Sequence, residues 1–226
     1  MIQEHIVGEI VDIDEYGTMT IKAGVPSLDR ALLRKYKSCE IVLDDGRRIS
    51  PQQRRKIYAL IGEIDEYVNG IRSQEGVEEQ KQFLKMEFML NRMSDTERKL
   101  FSLSDCSVTT ARAFINHIID FILKNAIPTK FPLITQTDDV VHYVMACLYN
   151  KRCAVCGKPS DLHHVDAIGA GNNRNEAHHL GRLALPLCRE HHTELHQSGN
   201  QSFMEKYHLE PVKIDEKMCK IYKLKK

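Results

Sequence analysis

Two pairs of metal-binding side chains set the first limit on how this chain can fold. Cys153-Ala154-Val155-Cys156-Gly157 has the form of a knuckle, and Cys188-Arg189-Glu190-His191 follows about thirty residues later. Two thiolates separated by two residues can grip one tetrahedral ion, and the glycine lets the backbone fold back tightly. A lone CxxC is a weak signal, whereas two halves at zinc-finger-like spacing are a strong one. The expectation is a structural zinc held by Cys153, Cys156, Cys188 and His191. The opening residues Met1-Ile2-Gln3-Glu4-His5 lack the basic flank and apolar core of a secretion signal, so a cytoplasmic location is expected. Thiols are reduced there. The remaining cysteines, Cys39, Cys106, Cys147 and Cys219, read as small packing residues.

A structural zinc does not account for the histidines. Seven of the chain's eleven lie between His163 and His196. His192 and His196 are four apart, on one face if the segment is helical, so both imidazoles can reach one ion. His191 sits about 100° around such a helix from His192 and can face the zinc instead. One short helix would then serve two ions. The doublet His163-His164 divides labour in a similar way, because adjacent side chains of a strand point to opposite faces. One ring would join His192 and His196 on a second ion. The other would point toward an attacking water, a task that suits a neutral imidazole at cytoplasmic pH.

Cys153-x-x-Cys156, Leu162-His163-His164-Val165, Leu185-Pro186-Leu187-Cys188 and His191-His192-x-x-x-His196 resemble the HNH, or ββα-metal, endonucleases, and are most similar to phage-encoded members. The resemblance implies a β-hairpin followed by a helix with metal held between them. It implies His164 as general base, and His163, His192 and His196 as ligands of a catalytic divalent ion, whether magnesium, manganese or nickel. One position departs from the pattern. The family's middle asparagine lies five residues before the second-half cysteine, and that position is Leu183. His179, or one of Asn172, Asn173 and Asn175, is a candidate substitute, and His179 is alternatively a further metal ligand.

Charge favours a polyanionic partner modestly. From Lys151 onward there are 13 Lys and Arg against 9 Asp and Glu, while the first 150 residues carry 19 against 22. Arg174, in the Gly- and Asn-rich stretch 169–175, can clamp a phosphate, with Lys158, Arg182 and Arg189 as further DNA-binding candidates. No run of residues is apolar and long enough to span a bilayer, so no membrane partner is expected.

Upstream, Ile6–Ile13, Thr18–Ala23 and Glu40–Leu43 read as strands of a small antiparallel sheet. Three helices follow. The first is capped by Ser50-Pro51 and ended by Gly70, with Ile57, Leu60, Ile61, Ile64 and Val68 as its stripe. The second covers 78–91 with Phe83 and Met86 among its apolar residues, and the third is capped by Ser107 or Thr109 and carries the stripe Ala111 to Ile122. A connection at 131–137 leads into a short helix from Asp138 to about Tyr149. The segments 50–60 and 102–107 resemble the Orf/NinB family of phage recombination proteins. That resemblance implies a single-stranded or branched DNA ligand, a single-strand-binding protein as partner and a homodimer, with Arg54, Arg55 and Lys56 on phosphate.

The expected fold class is α+β, with an N-terminal small antiparallel sheet plus helices and a C-terminal zinc-stapled ββα-metal domain. The expected organisation is an Orf/NinB-like domain over 1–130, a connecting segment and helix over 131–150 and an HNH domain over 151–226. The leading function is a metal-dependent DNA endonuclease of phage or prophage origin acting in recombination or replication. The alternative is a non-catalytic single-stranded DNA-binding mediator with a purely structural finger.

Overall fold

The structure, a computed structural model, describes residues 8–25, 27–35, 46–91, 101–165 and 178–225. The chain divides into two compact units, Met1–Gly46 with Met89–Leu100, and Arg47–Phe88 with Phe101–Lys226.

In the first unit, strands β1 (Gly8–Ile13) and β2 (Met19–Ala23) pair antiparallel with an irregularity between Ile10 and Asp12. Asp14 makes the turn, its Oδ1 accepting from the backbone N–H of Tyr16 at 2.9 Å and of Thr18 at 2.7 Å. The first fifty residues were expected to be strands alone, but α1 (Leu28–Arg34) interrupts them. The signals for it were local: Ser27 caps the helix through the N–H of Arg30, and Asp29 sits in its first turn. The strand expected over Glu40–Leu43 lies outside the described residues.

The second unit is built on helices. In α2 (Pro51–Asn69), Ser50 and Gln53 form a reciprocal capping box, and Gly70 ends the helix at φ 77°, a conformation that favours glycine. Its stripe Ile57, Leu60, Ile61 and Ile64 is buried as expected, while Val68 is exposed. Helix α3 (Gln74–Asn91) begins earlier than expected and buries Leu84 and Phe88, leaving Phe83 and Met86 exposed. Helix α4 (Val108–Lys124) is capped by Ser107, whose hydroxyl accepts from Thr110 N–H at 3.0 Å. Phe114, Ile115, Ile118, Ile119 and Ile122 make it the centre of the core, with α2 on one side and α5 (Val140–Asn150) on another. Truncation here should be costly, because a cavity adds to the lost transfer energy. Ile118→Ala is expected to lower stability by about 2–5 kcal/mol, read as the midpoint of urea unfolding.

Helix α5, expected as part of a connection, is core. Tyr143, Val144, Cys147 and Leu148 are buried, and the helix packs on strand β4 (Leu183–Leu187). The boundaries expected at 130 and 150 both fall within this larger unit. Strands β3 (Asp161–His164), β4 and β5 (Val212–Lys213) form an antiparallel sheet in the order β3-β4-β5. Helix α6 (Arg189–Ser198) leaves directly from β4, and Gly199, at φ 84°, turns the chain into α7 (Asn200–Tyr207). Helix α8 (Glu216–Tyr222) packs on α5.

Candidate metal centres

The knuckle is a closed backbone turn. Cys153 N–H donates to Lys158 O at 2.8 Å, and Gly157 N–H to Cys153 O at 2.9 Å, with Gly157 at φ 70°. Ala154 N–H reaches Pro186 O at 3.0 Å and so ties the turn to β4. Strand β4 then delivers Cys188 to the start of α6, and one turn of helix brings His191 back onto the same point. The Cys188 and Cys156 sulfurs lie 3.7 Å apart, and His191 Nδ1 lies 3.2 Å from Cys188 Sγ and 3.5 Å from Cys153 Sγ. All four ligand atoms fall within 4.8 Å of one another, a set that can hold a metal ion. Burial pushes the Cys153 thiol up to about 12 and raises Cys156 as well. Three sulfurs at such separations are poor neighbours as thiolates unless a cation joins them.

A second set forms on another face of α6. His163 Nδ1 lies 2.8 Å from His192 Nε2, and His196 Nε2 lies 3.1 Å from the same nitrogen. Their ligand atoms again fall within 4.8 Å. His163 is buried, whereas His196 is exposed, so the set is open on one side. Burial first, and then the neighbouring rings of His192 and His196, pull the His163 pKa down to about 4. His192 is lowered by burial and by His196. Both rings are therefore neutral near pH 7, the form that binds a metal.

The strand alternation sends the doublet two ways. His163 pairs with Leu185 and His164 with Ala184 in the β3–β4 register. His164 belongs to neither metal set. Its Nε2 lies 2.9 Å from Nδ1 of His179, which is itself buried. His179, expected as a substitute for the asparagine or as a further metal ligand, lies against His164 and belongs to neither of the two metal-ligand sets found among the described residues.

The profile of the family described as "Putative HNHc nuclease" matches residues 26–225. The chain belongs to this HNHc nuclease family. Over 56 residues, 24% of the chain, it is 46% identical to the uncharacterized protein YdfU of Escherichia coli strain K12. The match spans 15% of YdfU. No solved structure matches the chain significantly.

The cations expected on DNA in this family member fare unequally. Arg54 donates to Ser104 O at 2.6 Å, and Lys56 pairs with Asp138 at 2.6 Å, so two of that triplet are engaged within the fold while Arg55 is exposed. Lys158 pairs with Glu190 at 2.9 Å across the knuckle, and Arg182 Nε donates to His178 O at 2.7 Å. Arg189 is exposed at the first turn of α6. Arg174, together with Asn172, Asn173 and Asn175, lies outside the described residues.

Two contributions were missed by sequence reasoning. Tyr207 of α7 stacks edge-on against His191 at 5.6 Å between centroids, and its hydroxyl donates to Glu194 at 3.0 Å. The amide of Asn200 donates to Val165 O at 3.1 Å, although the two are 35 residues apart. Gly199-Asn200 looked like an ordinary helix stop, and no periodicity links it to β3.

Proposed function

We propose that this member of the HNHc family is a metal-dependent endonuclease that hydrolyses DNA phosphodiester bonds. One observation carries the reading: consecutive residues of β3 serve different clusters, His163 meeting His192 and His196 while His164 meets His179. A purely structural finger gives no reason for either. The Cys153, Cys156, Cys188 and His191 set suits zinc in chemistry and spacing. His163, His192 and His196 suit a catalytic divalent ion. Three imidazoles favour manganese or nickel over magnesium, which prefers oxygen ligands.

An ion held there supplies positive charge to a phosphate oxygen and to the leaving oxygen. The chain's own residues do the rest. His164, with Nε2–H donating to His179, carries its lone pair on Nδ1 and takes a proton from water. The water oxygen attacks phosphorus in line, the phosphorus–oxygen bond to the leaving sugar breaks, the departing oxygen takes a proton from solvent, and His164 then returns its own proton to solvent. His179 fixes the tautomer and the ring plane. Arg189, Arg182, Lys158 and Arg174 are the proposed phosphate contacts of this end of the chain.

The wider reading assigns residues 1–130 to an Orf/NinB-like region with Arg54, Arg55 and Lys56 on DNA, 131–150 to a connecting segment and the buried helix α5, and 151–226 to a ββα-metal HNH domain. It places the enzyme in phage or prophage recombination or replication, in the bacterial cytoplasm, as a homodimer alongside a single-strand-binding protein. Support for this part is the residue pattern at 50–60 and 102–107, together with the absence, among the described residues, of a helix long and apolar enough to cross a membrane. The competing reading is a non-catalytic mediator, favoured by Leu183 at the asparagine position. Nicking of supercoiled plasmid with manganese, parent against His164→Ala, separates the two. The nuclease reading expects cutting by the parent alone. If the parent leaves supercoiled, single-stranded and branched DNA intact, the mediator stands.

A further inference from the structure

We infer that Asn200 is a positioning residue that holds the His163–Val165 segment for catalysis, in the role that Leu183 leaves open; the inference rests on the nuclease reading. Both backbone groups of Val165 are engaged. Its N–H donates to Leu183 O at 2.9 Å, and its carbonyl accepts from the Asn200 amide at 3.1 Å. Strand β4 therefore still meets this segment at position 183, but through its main chain. The side-chain amide comes instead from α7. That helix also carries buried Phe203 and the Tyr207 ring against His191, so Asn200 stands on a braced element.

The bland alternative is that Asn200 merely starts a helix. The geometry speaks against it. Gly199 is the capping residue of α7 and makes no side-chain cap, while the Asn200 amide is spent on a residue of another element. A helix-start role would be kept by aspartate, which has the same shape and is favoured in a first turn by the helix dipole. The clamp would not be kept, because a carboxylate has no N–H to give and repels the Val165 carbonyl.

The test uses the full-length, zinc-loaded protein with Asn200→Ala and Asn200→Asp. Amide hydrogen exchange of Val165 is read by NMR, alongside kcat and KM for manganese-dependent plasmid nicking. The expected result in both variants is Val165 exchange about 10-fold faster. A kcat about 10–100-fold lower accompanies it, with KM and zinc content unchanged. Parental exchange in Asn200→Asp overturns the inference, and so does faster exchange with parental kcat. Zinc loss in Asn200→Asp also overturns it, since the residue would then support the fold at large. If the parent cuts no DNA, the nuclease reading fails by itself, and the exchange rates still decide whether Asn200 holds the segment.

Discussion

Cys153→Ala is expected to abolish binding of the proposed structural zinc and to lower stability by at least about 4 kcal/mol, the range reached when a structural metal is lost. The residue is fully buried, and its sulfur faces His191 at 3.5 Å. Removing it leaves three ligands, of which Cys156 is exposed and free to swing away. The damage should spread, because the knuckle does not stand alone. Tyr143 of α5 donates to Ala154 O at 2.9 Å, and Ala154 N–H is bonded to β4. Losing the turn would uncover α5, whose Tyr143, Val144, Cys147 and Leu148 are buried. In a chain of this size each kcal/mol moves Tm by about 2–4 °C, so a fall of roughly 10 °C or more is expected. Zinc content by atomic absorption and thermal unfolding by circular dichroism check both halves. A variant that keeps its zinc and its Tm would show that the thiol merely packs.

His164→Ala should behave in the opposite way, leaving the fold intact and removing the activity. The ring is partly buried at the end of β3, touches His179 and is no ligand of either metal set. Losing a positioned general base typically costs about 10²–10⁴ in rate. The loss should appear in kcat, with zinc content, DNA affinity and the exchangeable ion unchanged. His179→Ala should give a smaller loss, because the base remains and only its tautomer and orientation are freed. Plasmid nicking at saturating manganese measures both. The predicted loss in His164→Ala with a parental rate in His179→Ala would leave His164 as base and remove His179 from the site, and a parental rate in His164→Ala would remove His164 as base.

What could be read beforehand follows from the range over which each feature acts. Ligand pairs are written in local spacing: Cys153 and Cys156, Cys188 and His191, and His192 and His196 each lie within one helical or knuckle turn, and the structure brings each pair together. The split of His163 from His164 likewise follows from strand alternation. Helices with strong stripes and caps, such as α2 and α4, were equally plain. Short α1 was not, since seven residues carry too little periodicity to outweigh a strand-rich neighbourhood.

Partnerships across the chain left no such trace. Nothing in the run Arg54-Arg55-Lys56 foretells that Ser104 and Asp138 engage two of its three cations. Nothing in Gly199-Asn200 foretells a bond to Val165. The departure at Leu183 was visible, but its replacement depends on where α7 lies, which only packing decides. In the same way, α5 looks like a short linker helix until its buried face is seen against β4.

The proposed function requires α6 to carry two separate ion sites, one bracing the fold and one facing phosphate. Metal analysis of the full-length chain, parent against His196→Ala, tests this most directly. After manganese loading and brief chelation, the parent should retain one zinc and lose one exchangeable ion, while His196→Ala should retain the zinc and never take up the second. A single ion in the parent, or loss of the zinc together with the second ion in His196→Ala, would contradict it.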